Sequence, residues 1–326
     1  MGLITTVVGN YPKIGPGTKA PSLRNAISQF DHGRIGMQDL RDIENQVTEE
    51  VIKEQIDAGI DLVTDGQIRW DDGQTYLARG IKGFTINGLI RYFDSNTYYR
   101  HPIASSNLAW EAPITVQDFA FASRHSVNPV KAVITGPYTL ARLSQLGAYK
   151  DLRSLTLDLA GVLNQEALAL QEAGAPLIQF DEPAILKHKE DFTLVREASE
   201  ILTNGIRTKT EICTYFRDVS GLTPELFKLP FDVFGLDFAW GSSNFELLEG
   251  FPVEKELMVG LLDGRNTLLE SVEYIVDSIR RISVHVGIDR LYVSPSCGLD
   301  FLPRQNARQK LARLVEGTKA ARENLG

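Results

Sequence analysis

Two cysteines and a nearby glutamate are the residues of this chain best suited to metal chemistry. Glu211 and Cys213 lie in TKTEICTYF, and Cys297 lies far downstream in YVSPSCGLD. Residues two apart on a strand face the same side, so Glu211 and Cys213 would project together. With Asp237, which closes another β-rich run, these side chains could bind zinc, because thiolates favour zinc and catalytic sites combine sulfur with nitrogen or oxygen ligands. The same spacing also allows two small buried hydrophobic cysteines near solvated carboxylates.

The elements that must position these residues form a repeating pattern of strands and helices. Segments such as DIENQVTEEVIKEQIDAG separate the strands, with apolar residues at three- and four-residue steps. This alternation predicts an α/β fold, a (β/α)8 TIM barrel, as one domain over residues 1–326. The eight β-rich runs are ITTVVG (4–9), DLVTDG (61–66), KAVITG (131–136), LIQFDE (177–182), KTEICTY (209–215), VFGLDFA (233–239), LMVGLLD (257–263) and LYVSPS (291–296).

Polar residues end nearly every run. In such barrels the chemistry lies at the carboxyl ends of the strands, so these residues are expected to point at one mouth. They are Asn10, Asp65, Gln67, Asp181, Glu182, Glu211, Cys213, Asp237, Asp263 and Cys297.

A long aromatic insertion, residues 67–130, follows the second run and contains FTINGLIRYFDSNTYYRHP. The Asn87-Gly88 pair predicts a hairpin turn at that point. We expect the insertion to cover the barrel mouth. Its aromatic side chains are either a docking surface or an ordinary packed cover; they include Tyr92, Phe93, Tyr98 and Tyr99.

Composition excludes several classes of partner. A net charge of −8 and a pI near 5.3 argue against nucleic acid or an anionic membrane as a partner.

The start of the chain does not resemble a signal peptide, and no apolar run approaches the length of a membrane span, which predicts a cytoplasmic protein. In a reducing compartment a disulfide between the two cysteines is not expected. Neither a GxGxxG nor a GxxxxGK motif follows a strand, so no bound NAD or ATP is expected.

Several motifs resemble those of one enzyme family. TTVVGNYP at the start, IQFDEPA (178–184), the ExC strand and YVSPSCGL (292–299) are similar, in order, to motifs of the catalytic barrel of cobalamin-independent methionine synthase. GIDLVTDGQ (59–67) and VGLLDGRN (259–266) are weaker matches, and the resemblance spans the whole chain. It implies a zinc-dependent methyltransferase that converts homocysteine to methionine.

The resemblance also implies a set of metal ligands. Cys213 and Cys297 match the two cysteine ligands directly, Glu211 stands where the family has histidine, and Asp237 stands where it usually has glutamate. The implied site has two thiolates and two carboxylates around a dication, one negative charge more than with a neutral imidazole.

Substrate-binding residues follow by position. Asp181 matches the residue that pairs with the ammonium group of homocysteine, Asn10 stands where serine is usual, and Gln67 replaces a glutamate. A neutral amide accepts a hydrogen bond from ammonium but supplies no charge. Asp181 and Asp263 are the predicted catalytic carboxylates.

The methyl donor and the thiol remain open at this level. The chain resembles the short members of the family. This resemblance implies that the methyl donor is a methylcorrinoid, either methylcobalamin or a corrinoid bound to a carrier protein. A thiol of the coenzyme M type, with a sulfonate and no amine, is an alternative substrate, and a non-catalytic ligand-binding barrel is another interpretation. The uroporphyrinogen decarboxylase barrels are disfavoured because their substrate needs a basic mouth, and this one is acidic.

Overall fold

A computed structural model describes residues 2–15 and 20–325 of the chain. Its strands are β1 Ile4–Thr5, β2 Lys82–Arg91, β3 Tyr98–Ala109, β4 Ala132–Thr135, β5 Leu177–Asp181, β6 Lys209–Cys213, β7 Val233–Asp237, β8 Glu256–Leu262 and β9 Leu291–Pro295. Its helices are α1 Ala20–Asp31, α2 Met37–Ala58, α3 Gly73–Gly80, α4 Val116–Arg124, α5 Pro137–Arg142, α6 Leu152–Glu172, α7 Phe192–Leu202, α8 Val272–Ser283 and α9 Arg304–Leu325.

Seven strands form one parallel sheet in the order β1-β9-β8-β7-β6-β5-β4. Each corresponds to one of the β-rich runs, so the predicted α/β class with a parallel sheet is confirmed. Helix α2 covers the segment DIENQVTEEVIKEQIDAG up to Ala58, so the helix predicted there from the three- and four-residue periodicity is confirmed.

The run at 61–66 differs from the other seven because it forms isolated bridges rather than a strand. Thr6 bridges Leu62, and Val63 bridges Val130. At Thr64 the side chain of Gln55 from α2 both donates to the backbone oxygen (2.9 Å) and accepts from the backbone N–H (3.0 Å). The backbone here therefore bonds to a helix side chain instead of extending a ladder.

Apolar side chains are buried in two clusters. The larger one packs the helices against the outside of the sheet. The smaller one is enclosed by the curl of the sheet and contains both cysteines; its members are Val8, Leu62, Leu177, Cys213, Tyr215, Val233, Met258, Tyr292 and Cys297. The two sulfurs, distant in sequence, therefore share one buried region.

The hairpin within residues 67–130 is present, but its predicted turn is wrong. β2 and β3 pair antiparallel, and the chain reverses at residues 92–97, where the Ser95 hydroxyl donates to the carbonyl of Tyr92 (2.6 Å). Gly88 lies inside β2 with φ +71°, at a register irregularity between Asn87 and Leu89. The Asn-Gly pair thus makes a bulge in the strand, which suits glycine as well as a turn does.

No helix in the part of the chain that the structure describes is long and apolar enough to cross a membrane.

Candidate active site

A pocket of about 360 Å³ opens where the strands end. We call it the mouth pocket. Four of the predicted site residues line it, together with Tyr92 and Tyr99 of the hairpin and Phe216 from the loop after β6. These four predicted residues are Asn10, Gln67, Asp181 and Cys297.

Asp181 ends β5 and faces this pocket with both carboxylate oxygens engaged. Oδ1 accepts a hydrogen bond from Gln179 Nε2 (2.6 Å), and Oδ2 accepts one from the Tyr215 hydroxyl (3.4 Å). The Tyr215 hydroxyl in turn lies 3.2 Å from that of Tyr92. Burial raises the pKa of Asp181 to about 7, although the Gln179 hydrogen bond opposes the shift. The group therefore gains or loses a proton near neutrality, and a cationic ligand would favour its ionised form.

Gln67 is held in an unusual backbone conformation. Its φ is +50°, which is uncommon for a residue other than glycine, and its N–H donates to Asp65 Oδ1 (3.0 Å). The side chain is buried, and Nε2 lies 3.5 Å from the carbonyl of Val133. Strain of this kind persists where surrounding contacts fix a side chain in place, and it is frequent at functional sites.

Asn10 connects the first loop of the sheet to the last. Its carbonyl accepts from Leu299 N (2.8 Å), and a Cβ at Gly298 would lie 2.9 Å from Asn10 Cβ. Glycine at 298 therefore permits the close approach of the two loops. This contact fixes Asn10 beside Cys297 at the rim of the pocket.

Cys213 and Cys297 are both buried free thiols. Burial raises the pKa of each well above its ordinary value, and the nearby carboxylates, Asp181 and Glu211 for Cys213 and Asp237 for Cys297, raise it further. Both sulfurs are therefore protonated unless a cation is bound, because the thiolate needs a compensating charge in this environment.

Glu211 lies beside Cys213 at the base of the site. A Cβ at Gly235 would stand 2.8 Å from Glu211 Oε1 and 3.0 Å from Cys213 Sγ, so glycine on β7 leaves room for both atoms. Glu211 Oε2 lies 3.5 Å from Lys131 Nζ, which also donates to Gln179 Oε1 (2.5 Å). Within residues 2–15 and 20–325, Glu211 Oε1 is buried without a hydrogen-bond partner.

Lys131, which contacts Glu211, is not predicted by any of the sequence patterns. It opens the run KAVITG, and a lysine before a strand is normally a solvent-exposed flanking residue. No local pattern reveals its role, because its contact with Glu211 joins segments that are 80 residues apart.

Asp237 organises the loops around the site. Oδ2 accepts from Phe216 N (2.9 Å), and Oδ1 accepts from Ala239 N (2.9 Å) and Trp240 N (2.8 Å). Phe216 has φ +80°, a strained value that its bond to Asp237 helps to maintain. Burial raises the pKa of Asp237 to about 7, against the effect of the three N–H donors.

Asp263 lies at the end of β8, outside the lining of the mouth pocket. Its Oδ1 accepts from Trp240 Nε1 (2.9 Å) and from Arg265 N (2.8 Å). The Arg265 guanidinium stands 5.0 Å from the ring centres of both Phe216 and Trp240. Asp263 therefore anchors the aromatic rim of the site.

The prediction that all the polar strand-end residues point at the mouth is wrong for Glu182. Its carboxylate accepts from Tyr138 N (2.9 Å), Thr139 N (2.7 Å) and Thr139 Oγ1 (2.7 Å), so it caps the start of α5. The physical reason is strand alternation, since Glu182 follows Asp181 and faces the opposite side of the sheet.

The four predicted metal ligands are only partly brought together. Across the described ranges, no group of three or more His, Cys, Asp or Glu side chains is arranged to hold a metal ion. The structure does place Glu211 next to Cys213 and both cysteines in one buried cluster. Two thiols and a buried carboxylate oxygen without a partner are donors that fit zinc, so the residues present suit the ion chemically.

The parallel sheet and the polar pocket at its strand ends are features of an α/β enzyme whose site is built from loops. Comparisons with known proteins identify the family. A family model described as "Cobalamin-independent synthase, Catalytic domain" matches residues 3–320. The methionine synthase of Saccharolobus solfataricus is 35% identical over 327 residues, covering 99% of this chain and 96% of that protein. That of Sulfurisphaera tokodaii is 36% identical over 325 residues, covering 99% and 94%.

Solved structures share the fold. A B12-independent methionine synthase from Shewanella sp. W3-18-1 superposes with a TM-score of 0.86 at 24% identity, covering 100% of this chain and 99% of that one. A methyltransferase from Methanosarcina mazei gives a TM-score of 0.66 at 15% identity, covering 96% and 94%. At these identities the likeness concerns the fold alone.

The chain belongs to the cobalamin-independent methionine synthase family, matching its catalytic domain. The resemblance stated from the sequence motifs is confirmed, and so is the prediction of a methyltransferase, which removes the non-catalytic alternative. The predicted methylcorrinoid donor and corrinoid carrier protein are at odds with a family that is described as cobalamin-independent, and we withdraw them.

Proposed function

We propose that this methyltransferase methylates the thiol of homocysteine to give methionine. The observation that carries the proposal is the mouth pocket itself, in which a carboxylate, Asp181, and a thiol, Cys297, line one cavity of suitable size for an amino acid. The curated relatives are named methionine synthases, which supports the same reaction.

Asp181 would bind the ammonium group of the substrate. Its carboxylate already stands at the pocket surface, oriented by Gln179 and Tyr215. The amide oxygens of Gln67 and Asn10 would accept further hydrogen bonds from the amino group. A thiol with a sulfonate and no amine would leave Asp181 facing an anion, which disfavours the coenzyme M type of substrate.

Glu211, Cys213, Asp237 and Cys297 are the residues we propose to hold a zinc ion. This assignment is supported by the two buried thiols and by Glu211 Oε1, which has no hydrogen-bond partner among the described residues. A zinc ion there would supply Lewis acidity that lowers the pKa of an incoming thiol. Asp237 would also have a structural role, because its oxygens accept hydrogen bonds from the backbone N–H groups of Phe216 and Trp240 in the loops over the site.

The surrounding elements would exclude water from the reacting sulfur. We propose that residues 62 and 63 complete a (β/α)8 barrel as its eighth strand, as their bridges to both sheet edges suggest. The insertion, residues 67–130, would cover the mouth of this single domain, since Tyr92 and Tyr99 of its hairpin line the pocket. An enclosed site strengthens the electrostatic contacts made by Asp181.

Asp263 is the second proposed catalytic carboxylate, but it lies outside the lining of the mouth pocket, so its effect on the reaction would be indirect, through the loop that carries Trp240 and Arg265. The hydrogen bonds that its Oδ1 accepts from Trp240 Nε1 and Arg265 N support this role. Asp263→Asn would then lower kcat without changing zinc content.

The experiment that tests the proposal measures methionine formed by the zinc-loaded protein from homocysteine. Methyltetrahydrofolate, its polyglutamate form and methylcobalamin are offered separately as donors. We expect methionine with at least one of these donors and no methionine from a Cys297→Ser variant. Turnover of a thiol without an amino group, together with none of homocysteine, would contradict the proposal.

A further inference from the structure

Lys131 is a buried residue beside Glu211, one of the four predicted metal ligands. Its side chain is 0% exposed. A charged group is buried to this extent only when it is paired or hydrogen-bonded. It donates to Gln179 Oε1, lies 3.5 Å from Glu211 Oε2, and has Met258 Sδ at 3.6 Å. A lysine in such a place costs desolvation energy, so its partners must compensate for that cost.

The two oxygens of Glu211 are treated differently by this arrangement. Oε2 is paired with Lys131, whereas Oε1, on the side of Cys213, has no partner among the residues the structure describes. A buried carboxylate oxygen normally has a hydrogen bond, so one without a partner indicates a missing cation or donor. Lys131 fixes one oxygen and thereby directs the other toward the thiol.

The same lysine reaches the substrate side of the pocket through Gln179. The amide oxygen of Gln179 accepts from Lys131, and its amide nitrogen donates to Asp181 Oδ1 (2.6 Å) and to Val8 O (2.7 Å). These contacts determine which end of the Gln179 amide faces Lys131 and which end faces Asp181. A continuous chain of polar contacts therefore connects four residues: Glu211, Lys131, Gln179 and Asp181.

Charge explains why the pair belongs together. The charges of Glu211 and Lys131 sum to zero. A carboxylate at position 211 therefore adds no net charge to a site that already contains two sulfurs and Asp237. Removal of the lysine would leave an uncompensated buried carboxylate, and removal of the glutamate would leave a buried ammonium facing a metal cation.

We propose that Lys131 is a positioning residue for the metal site, which holds Glu211 Oε2 and presents Oε1 as a ligand while cancelling its charge. The inference rests on the proposed function, because it assumes that the site takes zinc. It adds a residue and a charge-coupled pair that the ligand set alone does not contain.

A double-mutant cycle tests this pairing. Zinc affinity is measured by competition with a chromophoric chelator for the wild type, Lys131→Met, Glu211→His and the double variant. Each single change should weaken zinc binding at least ~10-fold: Lys131→Met frees Glu211 Oε2, so that Oε1 is no longer held toward Cys213, and Glu211→His leaves a buried ammonium group facing the metal cation. The double variant has a neutral imidazole beside a neutral side chain, so its affinity should return to within ~3-fold of wild type.

A matched control is available on the same sheet. Lys209 pairs with Glu256 at 2.6 Å at the opposite end of β6, but its side chain is 48% exposed. Lys209→Met should leave zinc affinity unchanged. Unfolding temperatures of the metal-free proteins provide a second measurement, and here too the double variant should be more stable than Lys131→Met.

Two results would overturn the inference. One is a Lys131→Met protein that binds zinc as tightly as wild type; the other is a double variant that folds but shows only the sum of the single losses. If Lys131→Met does not fold, the recovered affinity of the double variant still decides the question. A wild type that binds no zinc would overturn the proposed function and this inference together, whereas zinc-binding wild type with additive losses would overturn the inference alone.

Discussion

At the residue scale, the carboxylate of Asp181 is the proposed contact for the ammonium group of the substrate. Asp181→Asn removes its charge but keeps its size, and a charge-assisted bond to ammonium is lost. We expect KM for homocysteine to rise ~10- to 100-fold, equivalent to ~1.5–3 kcal/mol, with unchanged zinc content.

Steady-state kinetics and metal analysis check this expectation. Asp277→Asn on α8, where the carboxylate is 68% exposed and pairs with Arg280, is the matched control. An Asp181→Asn enzyme with wild-type KM would show that the ammonium group binds elsewhere.

Position along the sequence was sufficient to predict the four strand-end residues that line the pocket. Asn10, Gln67, Asp181 and Cys297 follow β-rich runs, and the carboxyl ends of parallel strands meet at one edge of a sheet. Lys131 could not be predicted in this way. Its partner Glu211 lies on a different strand, and the register that brings them together is not encoded in local periodicity.

At the element scale, the hairpin of β2 and β3 is linked to Asp181 through two tyrosines. The Tyr92 hydroxyl lies 3.2 Å from that of Tyr215, which donates to Asp181. Tyr92→Phe removes this link, although the ring can still pack against Phe93 at 4.6 Å between centroids. KM for homocysteine should rise ~3- to 10-fold with kcat nearly unchanged, because one neutral hydrogen bond contributes ~0.5–1.5 kcal/mol.

The control for this variant is Tyr98→Phe, which alters a 59% exposed tyrosine at the start of β3. Both enzymes would be compared by initial rates over a range of homocysteine concentrations. A Tyr92→Phe enzyme with the same KM as Tyr98→Phe would mean that the hairpin does not influence Asp181.

Strands and helices were predicted correctly where the apolar periodicity determines them. They were not predicted correctly where a side chain forms hydrogen bonds with the backbone. Seven β-rich runs became strands, but at Thr64 the amide of Gln55 replaces the ladder hydrogen bonds. The hairpin turn was misplaced because glycine at 88 fits a strand bulge as well as a turn, and the Ser95 hydroxyl that closes the actual turn gives a weaker signal.

At the scale of the whole molecule, buried carboxyl groups should make stability depend on pH. Burial raises the pKa of Asp181, Glu182 and Asp237 to about 7, well above the ~4 expected in the unfolded chain. Between these values the folded protein binds more protons than the unfolded one. The free energy of unfolding of the metal-free protein should therefore fall as pH rises through this window, by ~2 kcal/mol or more from pH 5 to pH 7.5.

Denaturant unfolding at several pH values tests this dependence. Glu182→Gln removes one of the three groups and keeps an acceptor for the N–H groups of Tyr138 and Thr139, so its curve should be flatter. Stability that increases between pH 5 and pH 7.5 would contradict the prediction.

The central claim is that Cys213 and Cys297 hold a metal to which homocysteine adds its own sulfur. X-ray absorption at the zinc edge of the loaded protein measures this directly. We predict sulfur ligands from both cysteines, one fewer in Cys297→Ser, and one more when homocysteine is added to the wild type. A zinc environment without sulfur, or one that homocysteine leaves unchanged while methionine is formed, would contradict the account.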